Sequence, residues 1–252
     1  KRAEVLSYRD RYYDPSNMTI VLAGSITEAT KVRIETYFGQ EPTKRKVSHR
    51  FKPAVFGPRA KDKRIVVQPK KTDQAQLMLG FPGFHYQHAD NPIVAVLNTI
   101  LGGSMSSRLF IQIRERRGLA YVVKSGAEAF RDTGYAYVRA GLEPKNIYRA
   151  ISCIKNEIEK IIIKCVTKRE LADAKTHIRG ALTLSLEDSS NQADWYARQA
   201  LFMDKIYTPE ERLKMIEAVT REQIQTLAKT IYRFNEMRVA VIGDVEKESI
   251  KF

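Results

Sequence analysis

Two segments near opposite ends of this 252-residue chain carry the same pattern 219 positions apart. Tyr13 falls on Tyr232, and the run Met18-Thr19-Ile20-Val21-Leu22-Ala23-Gly24-Ser25-Ile26 falls on Met237-Arg238-Val239-Ala240-Val241-Ile242-Gly243-Asp244-Val245. Upstream, Val5 falls on Ile224 within helix-like stretches that lead into the tyrosine. Each copy reads as helix, short break, buried strand and glycine turn. Solenoid repeats recur about every 20–50 residues, so a period this long points to a duplicated domain. On that reading residues 1–40 are the tail of one domain, 41–63 a basic linker and 64–252 a complete second copy. The chain opens Lys1-Arg2-Ala3-Glu4 inside the first helix, so a processed or cut N-terminus is expected.

Composition is that of a soluble globular protein with enough residues for a substantial core. No apolar run approaches the roughly 18–20 residues of a membrane span, and no signal peptide opens the chain. The formal charge of +14 invites a nucleic-acid partner. Half of that surplus lies in residues 41–64, where nine Lys and Arg face only Glu41 and Asp62. Few aromatics accompany them to stack bases, so a solvated linker is the reading and nucleic acid is set aside. Cys153 and Cys165, the two cysteines, sit too far apart along one helix to bridge. Buried free thiols are expected, and with them a reducing, cytoplasmic setting.

Strands are expected at 17–23, 64–69, 74–81 and 238–242, with a hairpin of 121–130 and 134–142 turning at Arg131-Asp132-Thr133. Helices are expected at 1–13, 27–38 (capped by Thr27 and closed by Gly39), 92–101, 145–164, 168–186, 191–203, 209–218 and 221–232. Ser106 or Ser107 opens a further, arginine-rich helix that ends near Gly118. Strands first and last with helices massed between do not make a doubly wound sheet. They indicate an α+β fold with helices against one face of a sheet.

Motifs for independent chemistry are missing. The histidines are His49, His85, His88 and His177, and none makes the H-x-x-E-H arrangement that sets two imidazoles and a glutamate on adjacent helix turns. His85 and His88 fall in a loop between Pro82-Gly83 and Asn91-Pro92. His177 flanks an apolar helix face and reads as structural. Ser104, Ser106 and Ser107 follow Gly102-Gly103 without a nucleophile elbow, so helix capping is their role. A phosphate loop would need a Lys-Ser/Thr ending that is absent.

Arg114 and Tyr121 bracket the end of the arginine-rich helix, and both carry donors suited to a peptide carbonyl. From their chemistry alone a solvated helix is the preferred reading of Arg108, Arg114, Arg116 and Arg117. The surrounding residues decide the comparison. Gly102-Gly103, Ser106-Ser107-Arg108-Leu109-Phe110, Arg114 through Gly118-Leu119-Ala120-Tyr121, and Asp132-Thr133-Gly134 resemble the zinc-free half of insulinase/pitrilysin zinc peptidases, most closely the mitochondrial processing peptidase branch. Tyr12-Tyr13-Asp14-Pro15-Ser16-Asn17-Met18 with Gly24 looks like the end of the zinc domain. Gln74-Ala75-Gln76-Leu77 with Gly80-Phe81-Pro82-Gly83, and Leu97-Asn98 with Leu101, continue the match over nearly the whole chain.

The resemblance implies helices on one face of a mostly antiparallel mixed sheet, the metallohydrolase-like fold of that family. It implies a zinc-free domain whose Arg114 and Tyr121 bind peptide substrate in an enclosed chamber. The zinc ligands and base would lie upstream of Lys1, in an N-terminal zinc domain of the same chain or in a separate subunit. No metal ligand and no catalytic residue is expected in this chain, which alone would be inactive. Unfolded peptides would be the substrates, and a homodimer is a further partner. The short, two-glycine loop resembles a bacterial-type enzyme half more than the non-catalytic processing-peptidase subunit. The alternative is a non-catalytic structural or partner subunit of the same fold.

Overall fold

A computed structural model describes residues 1–39, 54, 57, 64–247 and 250. The expected linker at 41–63 lies outside the described residues except for Ala54 and Gly57. Two compact units result: Ala54–Ala181 with Thr208–Phe252, and Lys1–Pro53 with Leu182–Tyr207.

The first of these units is built on one sheet. Its strands are β1 (Ile65–Pro69), β2 (Ala75–Gly83), β3 (Ala120–Ala129), β4 (Gly134–Leu142) and β5 (Arg238–Gly243), in the order β1-β5-β2-β4-β3. β1 and β5 are parallel, and the other three pairs are antiparallel. The α+β class and the mostly antiparallel mixed sheet are therefore as expected. The period-2 alternation of β2 buries Ala75, Leu77, Leu79 and Phe81 and leaves the intervening residues half-buried or exposed. One face of the sheet thus carries the core.

Helices supply the other side of that core. They are α3 (Asn91–Asn98), α4 (Ile147–Lys164), α7 (Pro209–Glu217) and α8 (Arg221–Ile231), with α5 (Lys168–Ser185) running on into the other unit. α4 buries Ile147, Ala150, Ile151, Ile154, Ile158 and Ile161, a stripe at helical spacing. α8 buries Ile224, Leu227, Ala228 and Ile231 and packs on α3 and α4. Each such large apolar side chain contributes about 1.5–3 kcal/mol when fully buried. Thr220 caps α8 reciprocally with Gln223, satisfying two backbone donors that a helix start otherwise orphans. Tyr232 follows α8 with its ring edge-on to Phe81 at 5.1 Å, and burial pushes its phenol pKa up.

The second unit holds α1 (Arg2–Tyr12), α2 (Glu28–Phe38), the end of α5 and α6 (Ser189–Phe202). Thr27 caps α2 as expected, its hydroxyl oxygen accepting from the Thr30 N–H at 3.3 Å. In α6 the buried Gln199 accepts from Tyr207 N at 2.9 Å and donates to Tyr207 O at 3.1 Å, pinning the chain that leaves the helix.

Some local expectations fail. Residues 17–23 form no strand: extended backbone becomes a strand only beside a partner, and no described residue pairs with it. The arginine-rich segment is not a regular α-helix but a π-helical turn, Phe110–Glu115. The cysteines are free, as expected, yet half-buried rather than buried. Burial raises the Cys153 thiol pKa. Cys165 ends α4 at φ +63°, its thiol donating to Arg221 O at 3.1 Å.

Candidate functional site

The segment from Asn98 to Tyr121 is shaped by close packing at one end and a bulge at the other. α3 runs into a π-helical turn, Thr99–Gly103, in which Gly102 leaves helical geometry. A Cβ on Gly102 would stand 2.5 Å from the Ser125 backbone nitrogen. Only glycine lets β3 approach there, and Ser125 uses that approach to donate its hydroxyl to Asn98 O at 3.0 Å.

The serines do not serve as expected caps. Ser107 is buried and donates its hydroxyl back to Ser104 O at 2.6 Å, while Ser104 and Ser106 share a hydroxyl contact at 3.1 Å. Arg108 then anchors the segment to the start of α5. Its Nε donates to Glu170 Oε1 at 2.6 Å, and its terminal nitrogen donates to Glu170 Oε2 at 3.0 Å. Glu170 also accepts from Thr167 N at 2.7 Å. Burial alone would raise the Glu170 pKa, but these bonds outweigh it and hold the carboxyl below its ordinary range.

Leu109 and Ile113 are fully buried and fix the π-helical turn to the core. Arg114 therefore points away and is exposed, its guanidinium 5.0 Å from the Phe110 ring. Arg117 instead donates to Gln112 O at 2.8 Å and to Gln112 Oε1 at 2.7 Å. Gly118 closes the turn at φ +56°, with its N–H on Arg114 O at 3.1 Å.

Tyr121 follows in a position that its sequence did not disclose. Ala120 faces Leu142 and Val122 faces Gly141, so Tyr121 is the extra residue of a β-bulge on edge strand β3. The bulge turns its side chain outward, and it is 54% exposed. No hydrogen bond or ring contact joins Arg114 to Tyr121 among the described residues. They bracket the Gly118 turn as two separate exposed donors. The Lys145–Glu143 ion pair, 2.8 Å long, lies within electrostatic reach of Tyr121.

Larger hollows lie elsewhere in the same unit. A cleft of about 310 Å³ is lined by Asn91, Asn98, Glu128 and Arg212 among others. A wider groove of about 950 Å³ runs past Arg117, Leu119, Tyr148 and Lys155. Neither includes Arg114 or Tyr121, which stand on open surface.

Zinc, the metal of the resembled family, finds no ligand set among the described residues. Among the described residues no three His, Cys, Asp or Glu side chains cluster. His85 and His88 do lie in a loop, but the His88 ring stacks on Phe84 at 3.9 Å and its Nδ1 accepts from Asp90 N at 3.2 Å. His177 is exposed on α5. The described residues do not fit the metal.

Residues 1–178 match the model of the peptidase M16 inactive domain. This chain belongs to that family. It is 31% identical over 225 residues to the uncharacterized zinc protease YmxG of Bacillus subtilis, covering 89% of this chain and 54% of that protein. A protease of Helicobacter pylori superposes on 96% of this chain and 59% of its own at TM-score 0.86 and 16% identity. A chain of complex III from Candida albicans superposes on 73% of this chain and 47% of its own at TM-score 0.65 and 18% identity. These two likenesses show the fold alone. The chain spans about half the length of the curated relatives it matches. The names of these relatives do not specify the mitochondrial processing branch.

Proposed function

We propose that this M16 inactive domain is the substrate-binding, zinc-free half of a zinc metalloendopeptidase that hydrolyses unfolded peptides in an enclosed chamber. The observation that carries this reading is the exposure of Arg114 and Tyr121 on either side of one turn. Two strong donors flank one left-handed glycine, exposed and without hydrogen-bond partners among the described residues. The π-helical turn presents the first and the β-bulge presents the second. Arg114 offers a planar N–H fork and Tyr121 an O–H, both suited to the carbonyl oxygen of a bound peptide. Donors aimed at an oxygen that gains charge stabilise the transition state more than the ground state.

Metal ligands and a general base belong to an N-terminal zinc domain, outside the residues of this chain. That division agrees with relatives named as zinc proteases that are about twice as long. An enclosed chamber admits a flexible chain and excludes a folded one, which is why unfolded peptides are the substrate class.

The test is peptide hydrolysis by the complete zinc-loaded protein. Arg114→Ala and Tyr121→Phe are each expected to lower kcat/KM by about 10²–10³-fold, the usual loss when one transition-state donor is removed. Wild-type turnover in both variants would end the assignment. A second reading, a non-catalytic structural or partner subunit, draws on the likeness of fold to a respiratory-complex chain. An H-x-x-E-H motif upstream in the same reading frame, or in an adjacent gene, favours the enzyme; its absence from both favours the subunit.

A further inference from the structure

The sheet has a second face, opposite the core. Alternation puts Lys124, Gly126 and Glu128 of β3 on it, beside Tyr135, Tyr137 and Arg139 of β4. The register sets Lys124 directly opposite Arg139, Gly126 opposite Tyr137 and Glu128 opposite Tyr135.

Lys124 and Arg139 are the anomaly on this face. Directly opposed residues of an antiparallel pair hold their Cβ atoms about 4.5–5.5 Å apart, where like charges repel and weaken the sheet. Both side chains are exposed, and neither has an ion-pair or hydrogen-bond partner among the described residues. Glu128, the acidic residue of β3, stands four residues along the strand, about 13 Å away. Arg238, on the same face through its register with Gly80, is by contrast engaged, donating to Gly57 O at 2.8 Å. Two opposed cations contribute nothing to the sheet by themselves. An anion bridging them turns the repulsion into two charge-assisted contacts.

Beside the cations the surface turns aromatic. Tyr137 and Tyr135 follow Arg139 at alternate positions of β4, their rings 5.9 Å apart, and Phe130 continues the row at 6.1 Å from Tyr135. Alternate positions on a strand are about 6.8 Å apart. An extended peptide has the same repeat. Laid along β4, it sets one side chain on the cations, the next but one on Tyr137 and the next but one again on Tyr135.

We propose that this face of β3 and β4 binds an acidic stretch of unfolded peptide. A Glu or Asp side chain bridges Lys124 and Arg139, and apolar side chains at alternate positions lie on Tyr137 and Tyr135. Nucleic acid is the poorer occupant, because the cations form one pair rather than a track, and Glu128 stands by the aromatic row. The inference names a substrate class for the site proposed above. Lys124 lies three residues beyond Tyr121 on the same strand, about 10 Å along, so the acidic residue falls about three positions from the peptide bond held by Arg114 and Tyr121. Its part in turnover rests on that reading, but its test reads binding alone.

Fluorescent peptides are titrated into the complete protein with a metal chelator present, so that no hydrolysis intervenes, and anisotropy is read. A peptide with Glu, Leu and Phe at alternate positions is expected to bind about tenfold tighter than its Gln counterpart at low salt, with the preference shrinking as salt is added. Lys124→Glu places a carboxylate opposite Arg139, so the melting temperature is expected to hold or rise while the preference for Glu disappears. Adding Arg139→Glu is expected to reverse the preference and favour a Lys peptide. Equal affinity for the Glu and Gln peptides would overturn the inference, as would a preference for Glu that survives both substitutions. Tighter binding of a single-stranded oligonucleotide through the same two residues would overturn it too. Preference for acid in a protein that hydrolyses no peptide would remove the functional reading and leave this one standing. Turnover that depends on Arg114 and Tyr121 without any preference for acid would do the reverse.

Discussion

At Gly118 the chain turns from the Arg114 segment into β3 through a left-handed residue, φ +56°, with open space where a Cβ would sit. Gly118→Ala therefore costs backbone strain without a clash, about 1–2 kcal/mol. Gly102→Ala places a Cβ 2.5 Å from the Ser125 nitrogen, so strand β3 itself must shift and the loss is larger. Urea titration of the two variants is expected to rank them in that order. Tyr121→Phe removes an exposed hydroxyl that bonds to none of the described residues, so stability should stay within about 0.5 kcal/mol while turnover of the complete protein falls. That separation marks a substrate donor rather than a structural residue. The donor chemistry of Arg114 and Tyr121 was legible in the sequence. Their presentation was not, because a bulge depends on the register between β3 and β4, set by residues about twenty positions away.

Among the elements, the bond between Arg108 and Glu170 decides where the π-helical turn sits relative to α5. Glu170→Gln leaves Arg108 half-buried beside a neutral amide, and the loss is about 1.5–3 kcal/mol, the scale of a hydrogen bond to a charged group. Glu170 has a folded-state pKa below its ordinary 4.5, so its stabilisation is full above that value and lost as pH falls through the folded one. Thermal unfolding from pH 7 to 3 should show wild type falling more steeply than Glu170→Gln below about 4.5. The gap between the two should close with acid. Helical elements were largely readable because their apolar spacing is local, as in α4 and α8. The Phe110–Glu115 turn is not distinguishable from an α-helix in sequence, because the same spacing suits α and π winding alike. In the folded chain Leu109 and Ile113 are fully buried along that wider turn.

For the whole chain, the expected outcome is a folded protein without peptidase activity. If the metal ligands belong to a separate zinc domain as proposed, dialysis against zinc followed by metal analysis should find no stoichiometric binding. Tight zinc held through His85 and His88 would contradict this. Mixing the chain with peptide and zinc should leave the peptide intact.

The sequence by itself determined the order of elements, the α+β class, the repeat and the family. The class and most of the element order follow from short-range patterns of apolar residues, caps and glycines, whereas the repeat and the family rest on matches between whole motifs. Tertiary structure alone decided what each pattern became. The same helix-tyrosine-strand-glycine unit is a buried, paired strand at 238–243 and, among the described residues, an extended segment without a strand partner at 19–24. Strand pairing and burial are supplied by neighbours, and a sequence names no neighbour. Tyr121 illustrates the same point at one residue: its hydroxyl was given by its type, its exposure by an unmatched position in a ladder.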